Sequence, residues 1–311
     1  MKNIGYEFME YEMCELIREF RYHQGISQQE LYKGLCNKKE YFQLESGDSV
    51  VDELLFEQLL SRLHVQHRLF DIMLDDEAFD RVECRHNIKL CLQKEQWERA
   101  EQLLAEYEAM APSNNLHQQY VLAKRAELLF QTGNTSGQKF KEALELTLPV
   151  KEFERRLQGR GVISEDELWM YFRYRSCEQE FTEEEYQLFL HMLEDCFIEH
   201  QIYPEVYFEV AYQYALKLWK TEEYVRCKDI SEKAVSYLQD GVKQFRLAEL
   251  VFLNALAGLK LRHDEEKERE LFQQCKQAYY ISLSFCKPEM AQKILEYCEE
   301  EFGWHIIGQV K

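Results

Sequence analysis

Apolar positions recur at helical spacing from the start of the chain. Residues 14–23 set Leu16, Ile17 and Phe20 on one face, and Gly25 follows as a left-handed stop. Ser27 opens the next run as an N-cap with Glu30 in capping-box register, and Leu31 and Leu35 form its apolar stripe. A second start at Asn37 leads through Lys38, Lys39 and Glu40 to Tyr41 and Leu44 and stops at Ser46 and Gly47. Two short helices about a tight turn predict a helix-turn-helix. Asp52 then caps an amphipathic helix carrying Leu55, Phe56, Leu59, Leu60 and Leu63, which closes the small core, and residues 64–74 continue as a linker helix. The expected organisation is all-α: a helix-turn-helix domain over 1–64, a linker helix over 65–80, and a tetratricopeptide-like α-solenoid over 81–311.

In that long second part helices come in pairs. Trp97, Ala100, Leu104, Tyr107 and Pro112 resemble the second helix of a tetratricopeptide unit, and Tyr224, Cys227, Ser231 and Ala234 repeat the offsets. Between and after them the pattern predicts pairs at 116–131 with 137–148, 165–180 with 183–200, and 245–262 with 264–284. A helix over 205–219 precedes the second matched run, and a lone helix over 288–302 covers the end of the stack. Glycines at 133, 137, 159 and 161 mark the clearest breaks.

Composition narrows the function. Twelve Gly and four Pro in 311 residues leave few breakers, in keeping with helices on short loops. The net charge of −19 excludes a broad, sequence-independent hold on nucleic acid, which needs many phosphate-neutralising cations. Residues 27–43 run against that trend, with Lys33, Lys38 and Lys39 against Glu30 and Glu40. No apolar stretch approaches membrane-spanning length and no secretory leader pattern is present, so a cytoplasmic protein without membrane association is expected. The ten cysteines form no CxxC pair and are expected as reduced thiols. With no phosphate-binding Gly loop, GxSxG elbow or HExxH, and with dispersed histidines, neither catalysis nor a metal or other cofactor is expected.

The stretch from Gly25 to Leu63, with Ser27-Gln28 opening its second helix and Leu44-Glu45-Ser46-Gly47 closing its third, resembles the Xre-type helix-turn-helix of the Rgg/PlcR group of peptide-responsive regulators. The order of elements behind it resembles that group more weakly. One departure stands out: members usually read Ser-Arg where this chain reads Phe42-Gln43, so the usual phosphate-contacting arginine is missing.

In such a motif the start of the third helix points into the major groove. Lys38, Lys39, Phe42 and Gln43 share its outer face and, with Ser27, Gln28, Lys33 and Asn37, are the candidate contacts to a double-stranded DNA operator. The resemblance further implies a homodimer and a short signalling peptide held in the repeats, as in quorum sensing. Projected inward positions are Tyr171 and Tyr174 in one pair, Glu209, Tyr212 and Leu216 in the next, and Asn254, whose amide suits a peptide backbone. The rival expectation is an interaction scaffold whose helix-turn-helix no longer reads DNA.

Overall fold

Side-chain caps write the helix starts at the N-terminal end. In this computed structural model α1 (Ile4–His23) closes just before Gly25, whose φ is 67°. Ser27 caps α2 (Gln28–Tyr32), its hydroxyl accepting from the Glu30 N–H at 3.2 Å while the Glu30 carboxylate accepts from the Ser27 N–H at 2.9 Å. Asn37 caps α3 (Lys38–Glu45) through the same reciprocal pair with Glu40, and Asp52 caps α4 (Glu53–Arg62) by accepting from the Leu55 N–H. The residues described are 4–47, 52–65, 76–133, 137–159, 161–198, 202, 204–240, 245–261, 265–285 and 287–306, with side chains in α1 from Cys14 onward.

Two ends differ from the apolar pattern. Gly34, at φ 92°, stops α2 before Leu35, which enters the core from the turn instead of from the helix. A Cβ at Gly34 would stand 1.7 Å from the Thr147 carbonyl oxygen, so only glycine lets the α2–α3 turn approach that backbone. At the other end α4 closes at Arg62 and His64 turns the chain at φ 53°, so the apolar helix does not run on through residue 64; positions 66–75 of the expected linker lie outside the described residues. The core of this head gathers Cys14, Ile17, Leu31, Tyr41, Leu44, Phe56, Leu59 and Leu60, and Leu116 joins it from the repeats.

The remaining helices continue in sequence: α5 (Asp76–Gln93), α6 (Trp97–Met110), α7 (Asn115–Gln131), α8 (Gln138–Glu145), α9 (Val150–Gln158) and α10 (Glu165–Glu178). The chain divides into two compact units, and these helices complete the first with the head, through residue 181. The second unit holds α11 (Glu183–Cys196), α12 (Glu205–Lys220), α13 (Tyr224–Asp240), α14 (Leu247–Leu261), α15 (Glu265–Ser284) and α16 (Pro288–Phe302). Among the described residues every regular element is a helix, and none is long and apolar enough to cross a membrane.

Ala100, Leu104 and Tyr107 of the first repeat-like run are wholly buried, as are Cys227, Ser231 and Ala234 of the second. One helix that the apolar pattern did not single out is α9. The stretch expected as a single helix over 137–148 ends at Glu145, and Pro149 caps a fresh start whose apolar positions are Val150, Phe153 and Leu157.

Candidate functional sites

A buried carboxylate organises the helix-turn-helix. Glu45, at the end of α3, accepts from Arg21 Nε at 2.8 Å and Nη2 at 3.3 Å, from the Tyr41 hydroxyl at 2.6 Å, and from the Gln28 amide. Burial by itself raises a carboxyl pKa, but the hydrogen bonds from Arg21, Tyr41 and Gln28 outweigh it and hold Glu45 below its ordinary value. α1, α2 and α3 are thus tied at one point, and Gln28, a candidate DNA contact, spends its amide inward.

With Tyr41 and Leu44 turned into the core, the opposite face of α3 is open. Lys38, Lys39, Phe42 and Gln43 are all exposed, and the Lys38 ammonium sits 5.4 Å from the centre of the Phe42 ring. Phe42 keeps 44% of its surface, so it is not buried beneath a neighbouring helix. Ser27 and Asn37 lie at the two helix starts, exposed and engaged as caps. Lys33 is exposed at the end of α2, its ammonium 3.9 Å from a Glu152 carboxylate oxygen of α9.

The opposite side of α4 anchors the head to the first repeats through charged residues that the apolar pattern did not single out. Arg62 is fully buried; it donates to the Leu31 carbonyl at 2.7 Å and the Lys33 carbonyl at 3.0 Å, and pairs with Glu167 at the start of α10. Glu53 accepts two bonds from Arg81, at 2.8 and 2.9 Å, and one from Arg85 at 3.1 Å. Asp52 meets His117 at 2.8 Å, whose other ring nitrogen lies 2.7 Å from the Tyr107 hydroxyl. Glu53, Gln58 and Arg62 share α4 with Leu59 and Leu60, so this helix is buried on two faces, one apolar and one ionic.

The candidate ligand residues fall in both units. Within the first, Tyr171 is buried, stacked on Phe153 of α9 with centroids 4.2 Å apart, its hydroxyl donating to Glu154 at 3.1 Å. Tyr174 is half-buried and meets Tyr171 edge-on. Tyr171 is therefore an inter-helix packing residue here. Also in this unit, Tyr120, Lys124 and Trp169 line a narrow cleft beside α4.

In the second unit Glu209 is wholly buried and held by Arg246, at 2.7 and 3.2 Å, and by the Gln213 amide at 3.1 Å. Arg246, at φ 61°, also donates to Glu249 at 3.0 Å, and its guanidinium lies 4.8 Å from the Tyr212 ring centre. Lys287 adds a second cation to Glu249. Tyr212, Leu216 and Asn254 remain half-buried. Arg246, Glu249 and Lys287 were missed because each lies at or beyond a helix end, where apolar periodicity is silent. Among the described residues no cluster of metal-ligating side chains occurs.

No family model and no curated protein matches the chain. Solved structures do. The structure of Bacillus thuringiensis PlcR in complex with the peptide PapR7 and DNA superposes with a TM-score of 0.54 at 13% identity, over 92% of this chain and 99% of that one. The chain has the PlcR fold. ComR of Streptococcus vestibularis, in its apo form, follows with a TM-score of 0.48 at 13% identity over 94% and 99% of the two chains, and apo ComR of S. thermophilus with 0.47 at 14% over 92% and 99%. At the level of fold, the resemblance to the Rgg/PlcR group read from Ser27-Gln28 and Leu44-Glu45-Ser46-Gly47 is borne out.

Proposed function

We infer that the protein is a cytoplasmic, sequence-specific DNA-binding transcription regulator whose helical repeats bind a short signalling peptide, in the manner of quorum sensing. The observation that carries this reading is the open face of α3, where Lys38, Lys39, Phe42 and Gln43 are exposed on a helix pinned from behind by Glu45. Such a face offers two phosphate-seeking ammonium groups, an amide able to pair with an adenine edge, and an apolar ring for a thymine methyl. The PlcR structure holding both a peptide and DNA supports the same assignment for this fold. One head makes few phosphate contacts, so useful affinity calls for two heads in a homodimer reading two half-sites.

The net charge of −19 and the absence of an arginine at 42–43 favour a second reading, an interaction scaffold that has lost its operator. Genomic footprinting of the tagged protein separates the two. On the regulator reading, discrete palindromic sites appear with wild type and vanish with Lys38→Ala plus Lys39→Ala, while thermal unfolding stays within about 0.5 kcal/mol because both lysines are exposed surface groups. A scaffold gives no discrete sites with either protein.

A further inference from the structure

α9 meets α2 across a solvent-open cleft of about 910 Å³. Ser27, Gln29 and Lys33 of the α2 region form one wall, and Arg155, Arg156 and Val162 face them. Three cations line it against two carboxylates, in a chain that is strongly acidic overall. Both carboxylates are already engaged: Glu30 accepts from the Ser27 N–H at 2.9 Å, and Glu152 accepts from Arg155 at 2.7 and 3.0 Å and from Arg156 at 3.4 Å. Arg155 is 74% exposed and Lys33 56%, whereas Arg156 is 6% exposed and also donates to the Val162 carbonyl. The two exposed cations come from opposite walls of the cleft and both approach Glu152 Oε1, Lys33 at 3.9 Å and Arg155 at 2.7 Å, each keeping further N–H groups.

The walls keep fixed places. Gly34 and Thr147 are in close backbone approach just beside them, and Arg62 ties the end of α2 to Glu167. The same short α2 that forms one wall is bound to α3 through Gln28 and Glu45. α2, which carries that wall with Ser27 and Lys33, packs against α3, and packed helices lie about 8–10 Å apart. A DNA strand passing α3 presents a phosphate about every 3.4 Å of helix axis, so its backbone reaches past that distance.

We propose that this cleft is a phosphate subsite of the DNA interface, in which Arg155 of the repeats and Lys33 of the head hold a backbone phosphodiester. The charge absent from Phe42-Gln43 is then supplied by a helix outside the helix-turn-helix. The inference rests on the DNA-binding reading above. It adds that an operator is gripped by the head and the first repeats together.

The test measures affinity of the full chain for a duplex selected from random sequence by the wild-type protein, at salt between roughly 50 and 200 mM. Arg155→Ala and Lys33→Ala combined are expected to flatten the log–log salt slope by about 0.9, the one phosphate contact they share. Lys228→Ala, a half-buried cation of the second unit paired with Glu232, is expected to leave it unchanged. Thermal melting of each variant checks that the fold is kept. If wild type selects no duplex, the regulator reading itself falls. If it selects one and the combined Arg155 and Lys33 variant keeps the wild-type slope, or Lys228→Ala flattens it equally, the subsite alone is overturned. A parallel titration with inorganic phosphate separates the two sources of the anion: a melting shift that Arg155→Ala abolishes, with the duplex slope unchanged, makes the cleft a free-anion site and overturns its place in the DNA interface.

Discussion

Four donors on three side chains converge on Glu45, and Arg21, its charged partner, is itself 4% exposed. Removing one member of a buried pair strands the other without solvent. Glu45→Gln, which keeps the shape and one acceptor, is therefore expected to cost about 3 kcal/mol, the lower end of the range for broken buried pairs. The loss depends on pH in a definite direction. Because the folded Glu45 carboxyl is held below its unfolded value, its contribution is complete above roughly pH 4.3 and fades as pH falls through the lowered folded value. Urea unfolding of wild type and Glu45→Gln should thus differ fully at pH 7 and converge in acid. A gap of constant size would mean that the carboxylate charge is not the stabilising element. The sequence marks Glu45 only as part of a Leu-Glu-Ser-Gly ending; that its partner is Arg21, 24 residues earlier, is a tertiary fact that periodicity does not carry.

Among the helices, those legible beforehand have a side-chain cap, as α3 has in Asn37, or a long apolar stripe, as α6 has from Trp97. α9 has neither a side-chain cap nor length, and five of its nine residues are charged, so it reads as loop between Pro149 and Gly159. Its stripe is nevertheless there: Val150, Phe153 and Leu157 at i, i+3 and i+7, with Phe153 wholly buried against Tyr171. Phe153→Ala should cost about 3–5 kcal/mol by opening a cavity beneath the helix. Denaturant unfolding reads that loss directly, and a change below about 1 kcal/mol would show that α9 is surface decoration. α4 taught the converse lesson. Its leucines predicted one buried face, while nothing local reveals that Arg81, Arg85, Asp166 and Glu167 cover Glu53, Gln58 and Arg62 on another. Candidate ligand residues suffered from the same blindness. Tyr171 is consumed by packing and Glu209 by Arg246, whereas Tyr212 and Asn254 keep part of their surface.

For the molecule as a whole, a regulator of the proposed kind should be stabilised by its ligand through mass action. Short peptides encoded beside the gene are expected to raise the melting temperature with concentration, and Tyr212→Ala with Asn254→Ala to weaken that rise; a peptide that binds indifferently to both places the ligand elsewhere. The ionic anchor under α4 has a consequence for how such a protein is made. Arg62 lies 105 residues ahead of Glu167, the carboxylate that neutralises it. At about 5–20 residues per second, the ribosome delivers that partner roughly 5–20 s after Arg62 itself. Until then the buried place of the Arg62 guanidinium lacks the carboxylate that neutralises it in the full chain. For a regulator of the proposed kind, a chain cut short before α10 thus lacks the carboxylate that completes its helix-turn-helix.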